Sequence, residues 1–306
     1  MRVDRPTSPS LRIGIDLGGT KIAAIALGPA DRIVAELRIP SPRDDYRATV
    51  DAIGNLVTRL EATAGDHGTI GIGMPGSISP ATGRVQGSNS TWLNGQMLAR
   101  DLEARIGRPI RLANDANCFA LSEASDGAAA GARSVFGVII GTGCGGGLVL
   151  DGRLLDGPNA ISGEWGHNPL PWATQEELPG PLCWCGRSGC METWVSGPAL
   201  SRDHAVHTGQ SLSAETIASL AADGNSAAQA SLARYAGRLA RGLAHVVNLV
   251  DPEVIVLGGG LSNLATLYAE LPAIAAPYIF AAAPRIEIRR PRWGDASGVR
   301  GAARLW

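Results

Sequence analysis

A chain of 306 residues is long enough for two domains with substantial cores, and 45% hydrophobic residues with a net charge of −1 describe an ordinary globular composition. That balance of charge gives nucleic acid or an anionic membrane surface no electrostatic footing as a partner. No apolar run reaches the length of a membrane span, the polar, Arg-containing start from Met1 to Arg12 lacks the apolar centre of a signal peptide, and five cysteines, mostly in one cluster, fit a reducing cytoplasm.

Residues 12–17 are predicted as a short buried strand running into Gly18-Gly19-Thr20-Lys21. Residues 22–27 and 32–39 read as two more strands joined by the turn Gly28-Pro29-Ala30-Asp31. Strand, Gly-Gly turn and strand make a hairpin, which is neither a Rossmann nor a P-loop geometry. The backbone amides and the Thr20 hydroxyl of such a turn can cradle phosphate, and Asp16 can hold magnesium through water; the plain alternative is a turn with no ligand.

Asp44 and Asp45 open an amphipathic helix with Tyr46, Val50, Ile53, Val57 and Leu60 on one face. Residues 69–74 form a strand ending in Pro75-Gly76-Ser77. The loop 87–95, with Asn89 and Asn94, is too polar for core and too long for a plain turn. A helix over 96–106 and a strand over 110–113 lead to Asn114-Asp115-Ala116-Asn117. Asp115 thus stands at the end of a strand where a helix (116–130) begins, and position alone leaves it equally a helix cap or a catalytic carboxylate.

The second half repeats the opening. An apolar strand over 135–140 runs into Gly141-Thr142-Gly143-Cys144-Gly145-Gly146-Gly147, and another strand follows over 148–150. Two apolar hairpins with Gly-rich turns, one in each half, can clamp a polyphosphate from both sides. Cys144 and Cys118 read as small packed residues.

The stretch from Gly163-Glu164-Trp165-Gly166-His167 to Glu192 carries the strongest chemistry. Cys183, Cys185 and Cys190 lie within eight residues, with His167 upstream across a Pro-rich loop. Three thiolates and an imidazole are the complete tetrahedral set of a structural zinc site, which would fix Glu164 and Glu192 beside it. A surface disulfide with a spare thiol is the bland alternative, disfavoured by the strain of C-x-C pairing.

Beyond this loop the chain turns helical. Leu232, Tyr235, Leu239, Leu243, Val246 and Val250 form a stripe at helical spacing that Asp251-Pro252 stops. A buried strand over 254–257 closes on Gly258-Gly259-Gly260, followed by a helix with Leu264, Leu267 and Leu271. The three glycines allow close approach of a flat ring or a sugar, or simply enter the helix. His204 and His207, one turn apart, read as solvated surface residues. A strand over 286–288 precedes Asp295, which starts a closing helix to Trp306. No tandem array of short repeats is visible.

Asp16-Leu17-Gly18-Gly19-Thr20-Lys21, Asn114-Asp115-Ala116-Asn117, Gly141-Thr142-Gly143, Gly163 to His167, Cys183 to Glu192 and Leu257 to Gly260 occur in one order. Together they resemble the ROK family of sugar kinases and sugar-responsive repressors, over essentially the whole chain. More narrowly, residues 89–95, 166–172 and 297–302 resemble its bacterial fructokinase (mannofructokinase) branch.

The resemblance implies an α/β, actin-like ATPase (ribonuclease H-like) fold, with two α/β domains around a central cleft. Residues 1–115, completed by a C-terminal helix over 295–306, would form the first; residues 116–294, with the zinc loop 163–192, the second. It implies Asp115 as the base that deprotonates the sugar hydroxyl. Asn114, Glu164, His167 and Glu192 would hold sugar hydroxyls, with Gly76 as a backbone contact and Asn89 on the adjoining loop. Asp16, Gly18, Gly19, Thr20 and Lys21 match the first phosphate loop; Gly141, Thr142 and Gly143 the second; Gly258, Gly259 and Gly260 the adenosine side. His167, Cys183, Cys185 and Cys190 match the zinc ligands.

The expected activity is ATP- and Mg2+-dependent phosphorylation of D-fructose to fructose 6-phosphate, with mannose as a further substrate. Kinases for glucose or an N-acetylhexosamine are the alternatives. A repressor would need a helix-turn-helix domain, and only about a dozen residues precede Ile13. A catalytically dead sensor sits poorly with Asp115 and both phosphate loops. Members of the family are often dimers, so a homodimer is among the expectations, and oligomeric state stays open.

Overall fold

The computed structural model of the chain describes residues 11–306, so the polar start read over the first ten residues lies outside the described residues. The chain divides into two α/β units. The first holds the described residues through Ser122, Asp156–Ile161 and Ala296–Trp306; the second holds Glu123–Leu155 and Ser162–Asp295. The division falls after Ser122, within a helix, where the sequence reading placed it at Asp115.

In the first unit the elements are β1 (Arg12–Leu17), β2 (Lys21–Leu27), β3 (Ile33–Pro40), α1 (Tyr46–Ala64), β4 (Thr69–Met74), the short pair β5 (Ser77–Ile78) and β6 (Val85–Gln86), α2 (Leu98–Ile106), β7 (Arg111–Asn114) and α3 (Asp115–Ser125). The main sheet has the order β3-β2-β1-β4-β7. β1 pairs antiparallel with β2 and parallel with β4, which pairs parallel with β7. Ile13, Ile15, Leu17, Ile70, Ile72 and Met74 are fully buried, as near-continuous apolar strands covered on both faces require.

Asp45 caps α1 by accepting from the Ala48 N–H at 2.9 Å, and Gly65 ends it in the left-handed region. α2 starts two residues later than 96 because the backbone of Gln96 is committed elsewhere: its N–H reaches Leu93 O and its carbonyl accepts from Val85. α3 stops at Ser125, not 130. The chain folds back there, with the Ala128 N–H on the Glu123 carboxylate and the Ala129 N–H on the Glu123 carbonyl, both satisfied outside the helix ladder.

The second unit carries β8 (Ser134–Ile140), β9 (Cys144–Leu150), β10 (Arg153–Leu154), α4 (Glu192–Val195), α5 (Gly197–Thr208), α6 (Ala214–Ala222), α7 (Ser226–Val250), β11 (Val254–Gly258), α8 (Ala265–Ala275) and β12 (Ile288–Arg289). Its sheet runs β10-β9-β8-β11-β12, so both units order their strands third, second, first, fourth, fifth along the chain. Each Gly-rich turn joins the first two strands of its own sheet.

β9 begins at Cys144, four residues ahead of expectation, and Gly145, Gly146 and Gly147 pair with β8 rather than forming a turn. A Cβ on Gly146 would stand 2.8 Å from both Phe136 and Trp165, so the missing side chain admits the indole against the strand. The last strand also shifts, to Ile288–Arg289 from 286–288. α7 buries Tyr235, Leu239, Leu243 and Val246, each contributing about 1.5–3 kcal/mol of burial. His204 corrects the surface reading: it is buried, with Nδ1 3.0 Å from Ser231 Oγ on α7, whereas His207 is exposed as expected.

The closing helix α9 (Ser297–Ala302) packs on the first unit's sheet. Gly14 and Gly71 make room for it, since a Cβ on either would overlap the carbonyls of Val299 and Ala302. Trp306 follows, donating its indole N–H to Ile70 O at 2.8 Å under the Arg111 guanidinium. No described helix is long and apolar enough to cross a membrane.

Candidate active site

In the first unit, Asp16 is the last residue of β1 paired with β4 and stands beside Gly298 at the start of α9. The Gly18 N–H bonds Lys21 O at 3.1 Å and closes the turn, Ser41 Oγ donates to Gly18 O at 2.5 Å, and Thr20 and Lys21 are exposed at its tip. At the end of β7, Asn114 reaches Gly76 O with its amide at 3.2 Å, and Gly76 sits at φ 74° with no room for a Cβ beside Gln86 O and Ser88 N. The Ala116 N–H is shared by Asn114 Oδ1 and Asp115 Oδ1, each at 2.8 Å. Asp115 is therefore held at the helix start through Oδ1, and its side chain is exposed. Asn89 is exposed too, and Asn94 holds its loop, bonding Ser88 N at 2.9 Å and Ser88 O at 2.8 Å.

In the second unit, His167, Cys183, Cys185 and Cys190 bring one ligand atom each to within 4.8 Å of one another. Cys183 Sγ lies 3.6 Å from His167 Nδ1, and Cys185 Sγ 3.6 Å from Cys190 Sγ. Zinc bonded at ~2.3 Å to sulfur and ~2.0 Å to nitrogen has tetrahedral edges of roughly 3.5–3.8 Å, so the donor set fits. All the cysteines are free thiols, and the disulfide alternative falls away. Burial and the adjoining Cys185 and Cys183 thiols push the Cys190 thiol up to about 12, a balance that a cation among them reverses. Bonds from Cys183 N to Arg187 O and from Gly186 N to Cys183 O shape the knuckle.

Glu192 follows the knuckle as the first residue of α4. Its Oε2 accepts from the Cys144 N–H at 3.0 Å, next to the Gly141 to Gly143 turn, and its Oε1 accepts from Trp184 Nε1 at 2.6 Å. Glu164 is half-buried, and its carboxyl is raised by burial, opposed by His167 and reinforced by Glu192. Trp165 anchors the preceding loop, its Nε1 on Gly145 O at 2.9 Å and its ring edge-on to Phe136. Within the same unit a cavity of about 600 Å³ opens between the Gly141-Thr142 turn, the Gly260 turn, and the starts of α5 and α6. Gly259, at φ 80°, lies against the Ile140 carbonyl and brings the turn after β11 beside the one after β8.

A family model described as the ROK family matches residues 12–306. The chain belongs to the ROK family. It has that family's actin-like ATPase fold. The ROK chain is 42% identical over 296 residues to an N-acetyl-D-glucosamine kinase of Photobacterium profundum, covering 95% of this chain and 98% of the relative. A ROK hexokinase from Thermus thermophilus superposes with a TM-score of 0.85 at 34% identity, over 96% of this chain and 97% of that one. A ROK glucokinase from Streptomyces griseus, solved with glucose and AMPPNP, gives 0.78 at 28% identity, over 96% and 98%.

Sequence reasoning about this ROK chain missed most of the cavity wall. Pro198, Ser201, Ala214, Glu215, Ala218 and Leu264 line it, and none carries a motif. The usable signals were helix starts: Ser213 caps α6 by accepting from the Thr216 N–H, and Ser196 caps α5 by accepting from the Ala199 N–H.

Proposed function

We propose that this chain is an ATP-dependent hexose kinase whose substrate is an N-acetylhexosamine, N-acetyl-D-glucosamine first. The observation that carries the substrate is the 42% identity, end to end, with the Photobacterium enzyme of that activity. Fructose, expected from the shorter motifs, draws no support from the relatives compared. Glucose is the second reading, favoured by the hexokinase and glucokinase structures.

In this reading the Asp115 carboxylate takes the proton from the sugar 6-hydroxyl. The hydroxyl oxygen then bonds the γ-phosphorus as the bond to the β-phosphate oxygen breaks and ADP leaves. Exposure of Asp115 at a strand end, on a backbone held by the start of α3, suits a base that must meet substrate. Asn114, with its amide on Gly76 O, and Asn89 on the neighbouring loop would contact sugar on the first unit, and Asp16, Gly18, Gly19, Thr20 and Lys21 would take phosphate. On the second, Glu164, His167 and Glu192 would hold hydroxyls, and Gly141, Thr142 and Gly143 phosphate. Nδ1 of His167 faces the thiols, which leaves Nε2 for a sugar hydroxyl. The cavity at Gly260, beside Gly258 and Gly259, joins apolar wall from Pro198, Leu261 and Leu264 to polar groups of Ser201, Glu215 and Asn263, a mixture that suits a nucleoside.

His167, Cys183, Cys185 and Cys190 would hold zinc, which supplies rigidity and no chemistry at the sugar. Magnesium on the phosphates would neutralise charge developing in the transfer. A coupled assay of ADP release with N-acetyl-D-glucosamine tests the role of Asp115. Asp115→Ala is expected to lower kcat by roughly 10²–10⁴-fold with the far-UV spectrum unchanged; full turnover by that variant would refute the mechanism.

A further inference from the structure

We infer that Trp184 is a positioning residue for the sugar, acting through Glu192. The inference rests on the kinase reading, in which Glu192 holds sugar hydroxyls. Trp184 lies between the ligands Cys183 and Cys185, so the knuckle fixes its backbone on both sides. Its indole N–H donates to Glu192 Oε1 at 2.6 Å, and its ring meets His167 edge-on, with centroids 4.9 Å apart. The other carboxylate oxygen, Oε2, is held at 3.0 Å by the Cys144 N–H at the start of β9.

Glu192 is thereby pinned at both oxygens, once by backbone and once by a single side chain. A free Glu samples many rotamers, and ordering it on binding would weaken the grip on substrate. A carboxylate already aimed avoids that loss, and a hydrogen bond to a charged acceptor is among the stronger kinds. The indole also stays 56% exposed, so burial alone does not explain a tryptophan here. The competing account is that the ring merely covers the metal cluster beside His167. Trp184→Phe separates the two, since it keeps an aromatic ring and removes the N–H.

The test is calorimetric binding of N-acetyl-D-glucosamine to the zinc-loaded protein, for the unaltered chain, Trp184→Phe, Glu192→Ala and the double variant. Trp184→Phe should raise Kd roughly tenfold, with zinc content per chain and KM for ATP unchanged, and should add nothing in the Glu192→Ala background. An unchanged Kd, an equal rise in both backgrounds, or zinc loss in Trp184→Phe would each overturn the inference. The indole ¹H–¹⁵N resonance that Trp184→Phe removes should move in Glu192→Ala; if it stays, the contact is absent in solution and the inference fails. An unaltered protein that binds no hexose would sink the kinase reading instead, while the resonance still decides the contact.

Discussion

Glu177 accepts from Arg241 at 2.8 and 2.9 Å, from Arg238 at 2.9 Å and from the Thr174 N–H at 3.0 Å. Burial alone would raise its carboxyl, but Arg241, the Thr174 N–H and Arg238 outweigh it and hold it down to about 2. A carboxylate with a depressed folded value stabilises fully above its unfolded value, near 4.5, and loses that contribution as pH falls through about 2. Removing it would leave Arg241, 8% exposed, with no carboxylate partner and Arg238, 9% exposed, with Asp203 alone. Glu177→Ala is therefore expected to cost ~3–5 kcal/mol in urea unfolding at pH 7. The deficit should hold down to about pH 4.5 and shrink toward pH 2; a gap that is absent, or that does not change with pH, would contradict the assignment. The arginine contacts were not legible in the sequence, because Glu177 and its arginines are about sixty residues apart. His204 was misread for the same reason, its Ser231 partner lying on another helix.

At the scale of elements, the gathering of His167, Cys183, Cys185 and Cys190 was legible, because metal chemistry restricts both ligand type and spacing and leaves few alternatives. Asp45 at the start of α1 was legible for a similar reason, since a cap acts within three residues. The Gly145 to Gly147 run was not. A glycine that turns the chain and a glycine that lets Trp165 approach look the same until the tertiary contact exists. The knuckle makes its own prediction. If these four side chains hold the proposed zinc, a chelator should free the loop 163–192, seen as faster hydrogen exchange there, and lower turnover sharply. Metal-free protein with undiminished protection and activity would show that the thiols need no cation.

Over the whole molecule, two sheets of the same strand order each place a Gly-rich hairpin at their centre. That repetition was legible as a pair of apolar strands with glycine turns, one in each half. The cavity beside the Gly141 and Gly260 turns was not, because alanines, leucines and a proline form its wall only once α5, α6 and the turn after β11 are folded. Substrate choice depends on which hydroxyls and substituents meet those loops, and short motifs do not encode it. It is best measured by competition. The zinc-loaded protein would be given limiting ATP with magnesium and equal concentrations of N-acetyl-D-glucosamine, glucose, mannose and fructose, and the phosphorylated sugars resolved by ³¹P NMR. N-acetyl-D-glucosamine 6-phosphate should dominate. A fructose phosphate in its place would contradict the substrate, and no sugar phosphate at all would contradict the kinase.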